Sequence, residues 1–202
     1  MNVLTHTLIG WSAATAVPGL SRTDRGWVVA AAVACDLDGL GLLAELATRR
    51  SSHPLYWWSE YHHVLGHNLL FALAMAVCAW LATRRAGVAA LVGAMVHLHL
   101  IGDLVGSRGP DGYQWPIRYL WPVADSPALT VPWQWQLNAW PNVAFSIALL
   151  AYTFWFAWRS GHSPLELVAP QASRAFVQAL RARFPLRSDS ASPADVSREP
   201  GD

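Results

Sequence analysis

The chain has 202 residues, of which 53% are hydrophobic and only 13% charged, with a formal net charge of +1. Soluble domains carry about 25% charge, and a near-neutral chain has no field with which to hold nucleic acid. Positive mean hydropathy and a length suited to one domain leave a membrane-embedded bundle as the class to expect.

A bilayer crossing needs about 20 apolar residues in a helix, and the chain offers four or five candidates. Val3–Val17 is short, carries His6 near its start and is closed by Pro18. Gly26–Ala47 is apolar but interrupted by Asp36 and Asp38. Asn68–Thr83 is short and clean, and the stretch before it, Tyr61 to Phe71, holds His62, His63 and His67. Ala86–Gly106 is long enough and carries His97, His99 and Asp103. Asn142–Trp158 is clean, with aromatics near its end. The MNVLTHTLIG start has no basic region, so no cleavable signal is expected. Cys35 and Cys78 lie in apolar runs without metal-type spacing and read as small buried hydrophobes.

Between Ser107 and Pro141 the chain turns rich in Gly, Pro and Trp, with Trp115, Trp121, Trp133, Trp135 and Trp140. Trp favours the membrane–water interface, so this segment is expected to be an aromatic cap against the headgroups. Phe176, Val177, Leu180 and Phe184 share one helical face, edged by Arg174, Arg181, Arg183 and Arg187. That suits a helix on an anionic membrane surface. Ser188–Asp202 is Ser-, Asp- and Pro-rich and is expected to be disordered. The expected organisation is therefore an all-α polytopic bundle over 1–160 and a tail over 161–202. With five crossings, His6, Asp36, Asp38, His62–His67 and Asp103 gather at one end. Arg22, Arg25, Arg84, Arg85, Arg159 and the tail arginines outnumber Arg49, Arg50, Arg108 and Arg118. Positive-inside counting then puts the tail in the cytoplasm and the polar cluster towards the periplasm.

A carboxylate in a membrane helix costs about 2.5–3.5 kcal/mol, so it stays where it faces the interior and finds a partner. His99 and Asp103 are four apart and share a helical face. Their donors can share a divalent ion, or simply a hydrogen bond. His97 falls on roughly the opposite face and reads as packing. Asp36 and Asp38 point apart on a regular helix. A break near Gly39 and Gly41 would let both reach a site; otherwise one ligates and the other orients a histidine. His62 and His67 are five apart and meet only if one precedes the helix that follows.

The order Thr5-His6, Asp36-x-Asp38, His62-x4-His67 and His99-x3-Asp103 resembles the YdjM-like family of inner-membrane proteins, which are described as metal-dependent hydrolases. Cys35 stands where that family has proline, His63 where it has arginine, Gly66 where it has threonine and Asn68 where it has serine. Trp115-Pro116 and Trp121-Pro122 are similar to its aromatic-proline endings. The HxxxD spacing also resembles that of zinc-dependent phospholipase C. The resemblance, with the residue pattern, implies a ligand set of His6, Asp36, Asp38, His62, His67, His99 and Asp103, enough for one or two divalent ions such as zinc. Asp38 is the expected general base, and His63 is expected to be either a substrate-facing catalytic residue or a bystander. The expected partners are membrane lipids and an amphiphilic phosphate or ester. The alternatives are a metal or proton transporter, whose relays use the same residues, and a structural metal clamp. No internal repeat of the transporter kind is present.

Overall fold

The computed structural model describes residues 1–186 and divides into two compact units, Met1–Tyr152 and Thr153 onwards. Arg187 and the expected disordered segment Ser188–Asp202 lie outside the described residues. All regular elements among those residues are helical.

In the first unit α1 (Val3–Ala16), α2 (Arg22–Ala34), a 3-10 turn (Cys35–Leu40) and α3 (Gly41–Thr48) come first. The short α4 (Trp57–Tyr61), α5 (Leu69–Thr83) and α6 (Ala86–Gly106) follow, and α7 (Trp140–Ser160) begins there. Arg22–Thr48, Ala86–Gly106 and Trp140–Ser160 are long and apolar enough to cross a membrane. At about 1.5 Å per residue, the 21 residues of α6 span about the 30 Å of a hydrocarbon core. Two expected crossings are shorter, α5 at 15 residues and α1 at 14.

Polar side chains set the helix starts. Asn2 Oδ1 accepts the Thr5 amide at 2.8 Å, and Asn68 Oδ1 accepts that of Phe71 at 2.8 Å. Ser21 and Asp24 form a reciprocal capping box, and Asp24 also pairs with Arg85. Arg84, in the left-handed region at φ 56°, closes α5 and turns the chain into α6.

α2 lies between α1 and α6, and α6 packs in turn on α5. Small residues allow close approach: a Cβ at Gly10 would stand 2.7 Å from that of Ala32. The core threads through Val28, Ala31, Ala72, Val92, Met95 and Val96. Leu70, Leu73, Val77 and Trp80 of α5 remain exposed, as expected of a surface solvated by lipid.

The segment after α6 is the expected cap: coil, with two isolated bridges, Arg108 to Gln136 and Ile117 to Leu129. It is pinned rather than merely laid over the bundle. Ile117 is fully buried in the core. The amides of Gln134 and Asn142 donate to Asp103 O at 2.7 Å and Gly106 O at 2.9 Å, satisfying carbonyls at the end of α6. His97, read as packing, binds Tyr119 Oη through Nε2 at 2.8 Å.

In the second unit the remainder of α7 is followed by a 3-10 turn (Pro164–Leu167) and α8 (Pro170–Arg183). Ser173 and Val177 of α8 are buried, whereas Phe184 is exposed. Of the face expected to lie on lipid, Val177 is thus already covered.

Candidate metal centre

Four stretches meet at the C-terminal end of α6. Regular helical spacing brings His99 and Asp103 together, with Nε2 3.0 Å from Oδ2. The 3-10 turn after α2 winds at about three residues per turn and sends its two carboxylates to different neighbours. Asp36 Oδ1 lies 3.6 Å from His99 Nε2. Asp38 accepts from His62 Nδ1 at 2.9 Å and from His67 Nδ1 at 3.0 Å.

His62 and His67 both precede α5. Between them His63 takes φ 64°, a left-handed conformation costing about 1–2 kcal/mol in a non-glycine residue, and the turn lets both flanking imidazoles reach Asp38. Gly66 then passes against the end of α2, where a Cβ would stand 2.3 Å from Cys35 O. Its amide donates to Asp38 Oδ2 at 3.3 Å.

The protons in this cluster can be placed. His99 Nδ1 faces the Ala32 carbonyl at 2.8 Å, and a carbonyl only accepts, so the proton is on Nδ1. His67 Nδ1 faces Asp38 in the same way. In the neutral rings both Nε2 atoms are then lone pairs, yet they stand 3.2 Å apart. His67 Nε2 is also 3.3 Å from Asp103 Oδ2. That oxygen and Asp36 Oδ2 are buried without a hydrogen-bond partner, an arrangement that costs about 1–3 kcal/mol per group. Asp103 Oδ1, by contrast, is saturated by His6 Nε2 at 3.1 Å and the Ser107 hydroxyl at 2.7 Å, and touches the Met1 amino group.

Converging lone pairs need a positive charge between them. A proton is one solution: burial opposes charge on His67, but hydrogen bonds with Asp103 and Asp38 outweigh it and hold the ring up at about 9. A metal ion is the other. Asp36, His67, His99 and Asp103 offer donor atoms all within 4.8 Å of one another, and donors on a tetrahedral zinc stand about 3.3 Å apart. The Nδ1–H contacts to Asp38 and Ala32 O are the outer bonds that fix ligating histidines in the right tautomer. The residues fit a divalent cation.

The seven expected ligands therefore separate. Four of them, Asp36, His67, His99 and Asp103, converge as donors among the described residues. Asp38 stands behind His67 with both oxygens engaged, which leaves it orienting histidines and not free to take a proton as a base. His62 binds Asp38, stacks on Trp58 at 3.8 Å and lines a cavity instead of joining the donors. His6 stacks on His99 at 3.7 Å and buttresses Asp103. His63 lines the same cavity and stacks on His67 at 4.4 Å. Burial, with His67 beside it, pushes His63 down to about 3, so it is neutral and weakly basic.

The cavity has a volume of about 700 Å³ and reaches the donors at Asp36. Trp115 lines it, 5.2 Å from the rings of both His62 and His63. Trp115 thus does more than the aromatic anchor expected of the cap, while Trp133 and Trp140 keep the exposed character of one. Ser107, Arg108, Gln134 and Asn142 were not singled out for the site by sequence. They sit in coil or at a helix end, where no periodicity marks them.

Fold and site together define a helical membrane protein with a buried histidine–carboxylate centre able to hold a metal. The profile of the YdjM inner membrane protein family matches residues 1–182. The chain belongs to that family, which also supports its place in a membrane. No curated protein and no solved structure matches it.

Proposed function

We propose that the protein is a membrane-embedded, zinc-dependent hydrolase of an amphiphilic phosphate or ester. One observation carries the reading: two histidine lone pairs and two unpartnered carboxylate oxygens converge beside a large cavity lined mainly by apolar groups. Asp36, His67, His99 and Asp103 would hold the ion, and their nitrogen and oxygen donors suit zinc. A divalent ion there supplies Lewis acidity, which brings water towards ionisation near neutral pH and polarises a carbonyl or phosphoryl oxygen. The chain supplies the rest. Trp58, Trp115 and Leu40 shield the cavity from bulk water and receive an apolar group. Asp38 holds the proton on His62 Nδ1, so Nε2 is the basic atom available to accept a proton from attacking water. His62, not Asp38, takes the role of base.

A transporter is the less supported reading. Along α6, from the Asp24–Arg85 pair at its start to His99 near its end, the buried residues are Val88, Val92, Met95 and Val96. A relay running along this face of α6 from the cluster meets apolar side chains before it reaches that pair.

The test is metal content by mass spectrometry on detergent-purified protein, wild type beside His99→Ala/Asp103→Ala, with folding followed by circular dichroism. About one zinc per chain, lost in a still-helical variant, is expected, together with turnover of a lipid phosphate or ester by the wild type alone. A well-folded but metal-free wild type removes the hydrolase.

The excess of arginines on the opposite loops supports a site facing the periplasm and a cytoplasmic tail. A cysteine placed at the exposed Asp111, on the cavity's lip, should react with a membrane-impermeant thiol reagent in spheroplasts when Cys78 is replaced. Labelling only after lysis would reverse the orientation.

A further inference from the structure

The cavity carries a cation that the metal reading does not use. Arg108 lines it, directly after Ser107, whose hydroxyl binds Asp103. Its backbone is clamped on both sides: its N–H donates to Trp135 O at 2.9 Å and its carbonyl accepts from Leu137 N at 3.1 Å. The guanidinium Nε donates to Gly112 O at 3.2 Å. No described carboxylate pairs with the rest of the fork. Asp111, at the exposed lip of the same cavity, turns Oδ1 to the Tyr113 amide instead.

The charge of the site says what this arginine is for. Asp36, Asp38 and Asp103 bring three negative charges, a zinc ion two positive ones and the Met1 amino group on Asp103 a third, while neutral imidazoles add none. The loaded centre is neutral overall, so an anionic substrate needs a further cation beside it to be held by charge. Guanidinium is planar and always charged, and it grips phosphate oxygens two at a time. Arginine and metal together form the usual clamp on a phosphoryl group. The apolar walls at Leu40, Trp58, Trp115 and Leu137 leave the remainder of the cavity to hydrocarbon.

Resting on the hydrolase reading, we infer that Arg108 is the phosphate-gripping residue of the site and that the substrate is an amphiphile with a phosphoryl headgroup, not a neutral ester. Arg108 sets specificity and does not hold the ion.

Binding tests this without turnover. The full chain in detergent is titrated calorimetrically with dihexanoyl phosphatidic acid, dihexanoylglycerol and inorganic phosphate, with zinc content checked in each sample. The wild type should favour the phosphatidic acid over both. Arg108→Gln should weaken that probe by about 10- to 100-fold, the scale of a lost charged hydrogen bond, and leave dihexanoylglycerol and zinc unchanged. Arg108→Lys, which keeps the charge without the fork, should fall between them. An unchanged preference in Arg108→Gln and Arg108→Lys overturns the assignment, and equal wild-type affinity for inorganic phosphate overturns the amphiphile. A chain that binds phosphatidic acid through Arg108 but hydrolyses nothing keeps this inference and loses the enzyme.

Discussion

At the scale of single residues, the centre depends on proton placement more than on the number of donors. Asp38 contacts no donor lone pair, yet it fixes the tautomers of both His62 and His67. Replacing it with asparagine preserves shape and reverses one polarity. One of the two atoms facing an imidazole N–H becomes an amide NH2, and two donors then oppose each other. Either ring relieves this by moving its proton to Nε2, which in His67 removes the ligating lone pair. Asp38→Asn should therefore lower zinc affinity by about 10- to 100-fold, as losing an orienting partner of a ligand does, with helix content intact. Competition against a chromophoric chelator reads the change. An affinity equal to wild type would mean that the Asp38 contact does not orient His67.

At the scale of elements, the site is built where regular structure stops. The apolar runs made the long helices legible, and Asn68 marked where α5 begins. His99 and Asp103 were legible because an unbroken helix fixes their spacing. Asp36 and Asp38 were not resolved by the same logic, since a 3-10 turn replaces the α-helical period there and aims each at a different histidine. The loop carries a sharper constraint at Gly66, whose missing Cβ lets the chain pass against the Cys35 backbone. Rigid main chain cannot yield as a flexible side chain can. Gly66→Ala should push the loop off the end of α2, carry His67 away from Asp38 and cost about 1–3 kcal/mol, the usual scale of overpacking. Gly26, inside α2, meets nothing within 4 Å of an added Cβ. Gly26→Ala should be neutral or stabilise by about 0.5–1 kcal/mol through helix propensity. Thermal melts of the two variants in one detergent check both. A Gly66→Ala melt matching wild type would show that the close approach is not needed.

At the scale of the molecule, the sequence announced a bundle with a polar end, and the polar end holds α1, α2, α5 and α6 in one arrangement. What it did not announce is how the cap is attached. Gln134 and Tyr119 reach the bundle from coil whose path no pattern encodes, and Asn142 reaches it from the first turn of α7. The same arrangement decides what metal removal does. The ion would join Asp36 at the end of α2, His67 before α5 and His99 and Asp103 on α6, while the core around Val28, Val92 and Val96 is packed by apolar contacts that need no ion. Stripping the metal should therefore weaken the bundle without dissolving it. Zinc at a hundredfold above its dissociation constant contributes about 2.7 kcal/mol. For a chain of this size each kcal/mol moves Tm by about 2–4 °C, so chelation should lower the melt by about 5–10 °C, and added zinc should restore it. Circular dichroism at room temperature should be unchanged. Loss of helix on chelation at room temperature would make the ion a structural clamp, as in folds that exist only with metal bound. An unmoved melt would mean that no ion bridges these helices, and the facing lone pairs of His67 and His99 would then have to be reconciled by a shared proton alone.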